Sequence, residues 1–375
     1  SGVLLPLVAV VPMLVYPPDK RGTAMGDRRS LPARRKLGRR TMGKKPQIAV
    51  LLANTGTPDD PSPEAVRRYL RDYLKDRRIV EMPPFIWLPI LYGTVLRKRP
   101  AKSAAKYRQI WTPEGSPLVV HARKIAEGLN ERMKASDLPV RVEYSMCYGN
   151  PSLDAQIRKI VAEGIEKLFI LPLFPQYSPQ TVGSVMDTVG KTYRTLRNIP
   201  ATRTVKRFCD RDDWVQAMAQ HVRNYWAEHG EPWSEGGKLI FSFHGVPEEC
   251  VKEKGDTYQQ ECLDSSKAIA AALNLTSEQW ETDFQSRFGP QEWLQPYTIE
   301  RAKTLASEGV NRLDIICPSF TCDCLETDEE VDLGIRKVYE EANPSGHFHY
   351  IPCLNSTPGA IDFYERLIRD ELQGW

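Results

Sequence analysis

Several patterns are missing from this 375-residue chain, and each absence narrows what it does. None of the eight cysteines stands in a C-x-x-C pair. The scatter argues against a structural zinc site, and without an export signal the thiols read as reduced and cytosolic. No H-E-x-x-H, Walker A or G-x-S-x-G sequence occurs, so hydrolase and nucleotide readings lack support. No apolar run is long enough to span a bilayer. Val3 to Tyr16 comes nearest, but Pro6 and Pro12 interrupt it, and its positive charges follow the apolar stretch instead of preceding it as in a secretory signal.

Charge is unevenly spread. The total is +3, and residues 1–45 hold eleven Lys or Arg against two Asp, a net of +9, which leaves −6 on residues 46–375. A mildly acidic body with no recognisable reading motif speaks against nucleic acid as a partner. The basic stretch 1–45 is expected to be a disordered or artefactual extension, with the ordered fold starting near Pro46.

What is present is an alternation of strand-like and helix-like runs, the pattern of a doubly wound α/β protein. Strands are predicted at Ile48 to Ala53, Val140 to Cys147, Leu168 to Phe174, Thr202 to Phe208, Lys238 to His244, Glu281 to Ser286, Leu313 to Phe320 and Phe348 to Leu354. Helices are predicted at Glu64 to Lys75, Leu153 to Ala162, Thr181 to Thr195, Trp214 to His229, Tyr258 to Leu273, Thr298 to Ser307, from near Leu325, and at Ala360 to Leu372. Met82 to Leu96 is apolar and aromatic without clear strand or helix spacing. It reads as core or as an exposed lip for an apolar ligand or a membrane surface, followed by a cationic rim of Arg97, Lys98, Arg99 and Lys102.

One stretch organises the rest. Lys238 to Pro247 reads as a buried parallel strand that stops at Gly245, leaving His244 at its carboxyl end. Ligands of open α/β sheets bind beyond those ends, so His244 is a candidate base or metal ligand. A lone imidazole there serves core packing as readily as chemistry. The acidic run after a second strand end changes the weighing: Asp323, Glu326 and Glu330 stand three and four apart, on one face if the run is helical. Stacked carboxylates at a sheet edge are costly unless they titrate or meet a cation. An imidazole facing oxygen ligands suits a divalent first-row metal such as Fe(II).

The chain also echoes itself. The segments from Glu163 and from Glu308 share Glu-Gly-apolar-x-x-Leu-x-Ile before a Pro-x-Phe, at an offset of 145 residues, and NTGTP and FHGVP both close in G-x-P. Two similar halves would place His244, the Glu326 helix and the Asn54 turn around one cleft.

In order along the chain, LLANTGTP, YRQIWTPEGSPL, LPLFPQYSPQTVGS, FSFHGVP, FQSRFGPQEWLQPYT and CPSFTCDCLETDEEV together resemble the ferrochelatase family over Pro46 to Trp375. That resemblance implies a class II chelatase fold: two Rossmann-like halves, about 46–205 and 206–354, with parallel sheets around a porphyrin cleft and a last helix in 355–375. It implies insertion of Fe(II) into protoporphyrin IX, with both as substrates. It puts His244 and Glu326 in catalytic positions and adds Glu330 and Asp323 as an acidic metal path. Asn54, Thr55, Arg99, Lys102, Tyr107, Ser116, Tyr177 and Trp293 fall where the family contacts porphyrin. Thr55 makes that wall more polar than the apolar or aromatic residue of relatives, and Cys324 replaces a histidine found in some. With no cysteine after Cys353 and Pro179 at the upstream position, the tail-type [2Fe-2S] cluster of some members is not expected. A coproporphyrin-using enzyme and a non-catalytic porphyrin carrier of the same fold stay open as alternatives. The resemblance also fits a cytoplasmic protein in peripheral contact with the inner face of a membrane.

Overall fold

The computed structural model describes residues 47–134 and 139–375; the expectation for residues 1–45 lies outside the described residues. Among the described residues, eight parallel strands form two four-stranded sheets. The first joins β1 (Ile48–Gly56), β2 (Val140–Tyr148), β3 (Lys167–Pro172) and β4 (Ala201–Thr204) in the order β2-β1-β3-β4. The second joins β5 (Lys238–His244), β6 (Trp280–Gln285), β7 (Arg312–Ile316) and β8 (His347–Ile351) in the matching order β6-β5-β7-β8. The internal echo thus marks equivalent places, since β3 and β7 are third in their sheets, and β1 and β5 are second. Offsets differ because residues 63 to 133 hold the helices between β1 and β2, whereas residues 248 to 272 hold those between β5 and β6.

Ile48 to Ala53 are buried without interruption because helices cover both faces of a parallel sheet. One apolar cluster takes Val50 and Leu52 from β1, Phe241 and Phe243 from β5, and Phe363 and Leu367 from the last helix, Pro358–Glu371. The two sheets and the chain end therefore share a core. In each sheet the strand order reverses beside the second strand, between β1 and β3 and between β5 and β7. Ligand crevices form at such reversals.

Two stretches differ from the sequence-based reading. Met82 to Leu96 is mostly helical: Pro84–Ile90 is an α-helix, Leu91–Val95 a π-type turn, and Leu96–Ile110 a second helix. Pro89 and Pro100 inside these helices, and an apolar surface left in solvent, hide the usual periodicity. The helix Pro117–Met133 was not foreseen at all. Its Pro at the first turn and its buried Leu118, Ala122, Ile125 and Leu129 were the available signals. Gly128 lets the last helix approach, because a Cβ there would sit 2.6 Å from Ile361 Cδ1. The predicted strand Thr202 to Phe208 is shorter, ending at Thr204.

Candidate active site

β5 places His244 at the strand-order reversal of its sheet. Immediately after it the backbone squeezes past β6: Gly245 N–H donates to Gln285 O at 2.8 Å, and a Cβ at 245 would lie 2.9 Å from that oxygen and 3.3 Å from Trp293. Glycine is what allows this approach. Pro247 forms an isolated bridge with Trp293. The Trp293 ring then stands 6.3 Å from the His244 ring, with Phe320 at 6.5 Å. His244 Nδ1 lies 2.7 Å from Gly245 O. A carbonyl only accepts, so Nδ1 carries the hydrogen and Nε2 keeps the lone pair.

The facing acidic element is a π-helix, Leu325–Ile335. Cys324 caps it: the Thr327 hydroxyl accepts from Cys324 N–H at 2.8 Å and closes the first turn. Gln285 Nε2 donates to Glu326 O at 2.7 Å, so β6, His244's neighbour in the sheet, also fixes the start of the acidic helix. Glu330 accepts from Ser286 Oγ at 2.7 Å. Burial pushes the Glu330 carboxyl above its ordinary range, the Ser286 hydroxyl and the neighbouring His244 draw it down, and Glu326 raises it again. Ser286 itself sits at φ 68°, a left-handed conformation uncommon outside glycine, at the point where its hydroxyl meets that carboxylate.

Asp323 does not join this face. It precedes the helix and is buried, with Oδ1 accepting from Tyr350 O–H (2.6 Å) and Cys353 N–H (2.9 Å) and Oδ2 from the Asn355 amide (2.5 Å). The helical spacing that grouped it with Glu326 and Glu330 fails because the chain is extended at Cys324. Asp323 is thus a structural hub and does not extend a helical face with Glu326 and Glu330. Among the described residues no three His, Cys, Asp or Glu side chains gather as a ready metal site.

The porphyrin-position residues lie on several elements. Asn54, at the end of β1, turns its side chain to accept from Thr55 N–H at 2.8 Å. Tyr107 is buried in an edge-on aromatic group with Tyr69 and Trp111, and burial followed by the Glu326 charge raises its hydroxyl's affinity for its proton. Ser116 is buried at the head of helix Pro117–Met133 without capping it. Tyr177 donates its backbone N–H to Glu261 (2.7 Å) and lies under Lys206 at 4.5 Å. Lys102 is exposed on the helix Leu96–Ile110, and Arg99 of the same helix is half-buried. Lys106 ties that helix to Glu329 at 2.7 Å. Sequence reasoning missed Gln285, Ser286 and Phe320, although all three lie inside motifs it used. A cavity of about 220 Å³ opens beside Glu330, lined by Gln285, Ser286, Arg287, Tyr297 and Glu300 among others. A larger one of about 830 Å³, between helix Asp212–His229 and the last helix, contains none of the candidate residues.

The ferrochelatase family model matches residues 47–372. This chain belongs to the ferrochelatase family. It is 45% identical to a ferrochelatase of Marinobacter nauticus over 88% of each chain, and 46% identical to one of Alcanivorax borkumensis over 88% of this chain and 95% of that one. It is 41% identical to ferrochelatase 1 of Shewanella oneidensis over 88% of this chain and 97% of that one. The ferrochelatase fold named from the motifs is the one seen, with two parallel-sheet α/β halves. Among the described residues no helix is long and apolar enough to cross a membrane.

Proposed function

We propose that this chain inserts Fe(II) into protoporphyrin IX to give protohaem, with iron and porphyrin both as substrates. The observation that carries the reading is the His244 imidazole, basic at Nε2, opposite the Glu330 carboxylate at a strand-order reversal of a ferrochelatase-family fold. Two pyrrole N–H bonds must break before four nitrogen lone pairs can bind the metal. His244 takes a pyrrole proton, and Glu326 and Glu330 receive the other or steer the cation. Glu330, held up by burial, accepts a proton more readily than a solvated carboxylate. Trp293 and Phe320 give the macrocycle an apolar wall beside the imidazole. Arg99 and Lys102 meet its carboxylates.

The eight cysteines need no cluster in this account. Seven are buried, and burial raises thiols such as Cys317, Cys324 and Cys353 well above their ordinary range, which keeps them protonated. We assign the chain to the cytoplasm, touching the membrane peripherally through its lip. Phe85 is 79% exposed, and Met82, Ile86, Ile90 and Tyr92 are also exposed, next to Arg97 and Lys98. Sedimentation with anionic liposomes tests this; protein left in the supernatant at both low and high salt contradicts it. The activity is tested by anaerobic metal insertion into protoporphyrin IX and coproporphyrin III. Turnover of the first supports the proposal, turnover of coproporphyrin alone moves the chain to the other branch, and binding without insertion by either leaves a carrier.

A further inference from the structure

Half-buried guanidinium groups in this fold mostly meet a carboxylate, as Arg78 meets Asp187, Arg301 meets Glu281 and Arg211 meets Asp213, while Arg203 and Arg223 bond backbone carbonyls instead. Arg99 is the contrast. It makes no ion pair among the described residues, and burial lowers its proton affinity, the mark of a cation desolvated without a counter-charge. What it does meet is an aromatic face: its guanidinium carbon stands 4.3 Å from the centre of the Phe288 ring. That ring is 61% exposed, which is unusual for a phenylalanine and leaves core packing unable to explain its place.

The contact joins distant parts of the chain. Arg99 lies on the lip helix Leu96–Ile110, and Phe288 lies on the loop that leaves β6. The loop is anchored on both sides of Phe288. Before it, Ser286 binds Glu330 and Arg287 stacks on Tyr297 at 5.0 Å; after it, Trp293 bridges to Pro247. Gly289, at φ 80°, turns the chain directly behind the ring. Phe288 is therefore presented by the same loop that orders the His244 and Glu330 surroundings.

A cation–π contact occupies the face of a guanidinium and leaves the N–H donors around its edge free. Those donors match a carboxylate two at a time. We infer that Phe288 is a positioning residue for carboxylate recognition: it holds the Arg99 fork at the cleft mouth, ready for a carboxylate on the rim of a flat apolar substrate. This rests on the porphyrin reading proposed above and extends it to a residue outside the binding set.

The test uses the full chain as wild type, Phe288→Leu and Phe288→Tyr, with protoporphyrin IX and its dimethyl ester presented in detergent micelles. Binding is read by porphyrin fluorescence, and KM and kcat by anaerobic zinc insertion. Phe288→Leu is predicted to raise KM and Kd for the diacid about fivefold, with kcat and thermal unfolding little changed. Phe288→Tyr, which keeps an aromatic face, restores the wild-type values. The diester, lacking a carboxylate, binds wild type and Phe288→Leu alike. An unchanged KM for the diacid, an equal loss with the diester, or a fall in kcat alone overturns the inference. If wild type binds neither porphyrin, the functional reading itself fails, which is a separate result.

Discussion

The ends of β1 and β5 are the same device built twice. Both strands are second in a four-stranded parallel sheet, both run to a G-x-P closure, and both pass their glycine against the neighbouring strand. Gly56 faces the carbonyl of Tyr148 on β2, as Gly245 faces that of Gln285 on β6. The residue before each glycine differs: Thr55 in the first half, His244 in the second. One end offers a hydroxyl that cannot take a proton near neutrality, and the other an imidazole that can. Under the function proposed above, the same backbone serves a binding wall on one side and proton chemistry on the other. The third strands repeat the contrast. β3 leads to the short π-turn Pro179–Gly183, and β7 leads to the long acidic π-helix with Glu326 and Glu330.

Substitutions that sharpen the contrast should differ greatly in size. His244→Ala is predicted to lower kcat about a thousandfold, whereas Thr55→Ala should change KM for porphyrin by less than about tenfold and leave kcat near wild type. Steady-state insertion assays on both variants check this, and equal losses would end the division of labour. Glu330→Gln should cost roughly 10- to 100-fold in insertion while leaving the unfolding midpoint intact. Asp323→Asn should do the reverse, losing roughly 1–3 kcal/mol in denaturant unfolding with little effect on the insertion rate of the folded fraction.

The two glycines are predicted to be unequal. Gly56→Ala must fit a Cβ 1.7 Å from Tyr148 O at φ 115° and should cost roughly 3 kcal/mol or more; Gly245→Ala, with normal φ and 2.9 Å to Gln285 O, should cost about half of that and fall mainly on activity. Urea unfolding of both variants orders them.

A pH-dependent effect concerns β6. Asp283 is fully buried with neither carboxylate oxygen hydrogen-bonded, and burial, followed by Glu281, raises it to about 8. The folded state therefore holds a proton that the unfolded chain gives up near pH 4. Stability from this group is complete below pH 4 and is lost as pH rises toward 8. Asp283→Asn should raise the melting temperature at pH 8 and make almost no difference at pH 4. A gain that does not depend on pH would contradict this.

The central strands were legible because parallel strands buried on both faces read as largely apolar runs, as in Ile48 to Ala53 and Leu313 to Ile316 around a single Asp314, whereas the edge strands β4 and β6 carry many polar residues. The place of His244 at the end of β5 and of Glu326 after β7 was legible from the strands that precede them. Asp323 was misplaced because spacing alone assumes that a helix has already begun, and only the backbone shows Cys324 extended. The lip helices were hidden by Pro89 and Pro100 and by apolar residues that face solvent. Contacts such as Ser286 with Glu330 and Arg99 with Phe288 join segments far apart in the chain, and no local pattern records them.

The most direct test of the account is anaerobic Fe(II) insertion into protoporphyrin IX, followed by loss of porphyrin fluorescence, for wild type and His244→Ala. The account predicts insertion by wild type and near-complete loss in His244→Ala, with porphyrin binding retained. Insertion by His244→Ala at the wild-type rate, or binding without insertion by wild type, would contradict it.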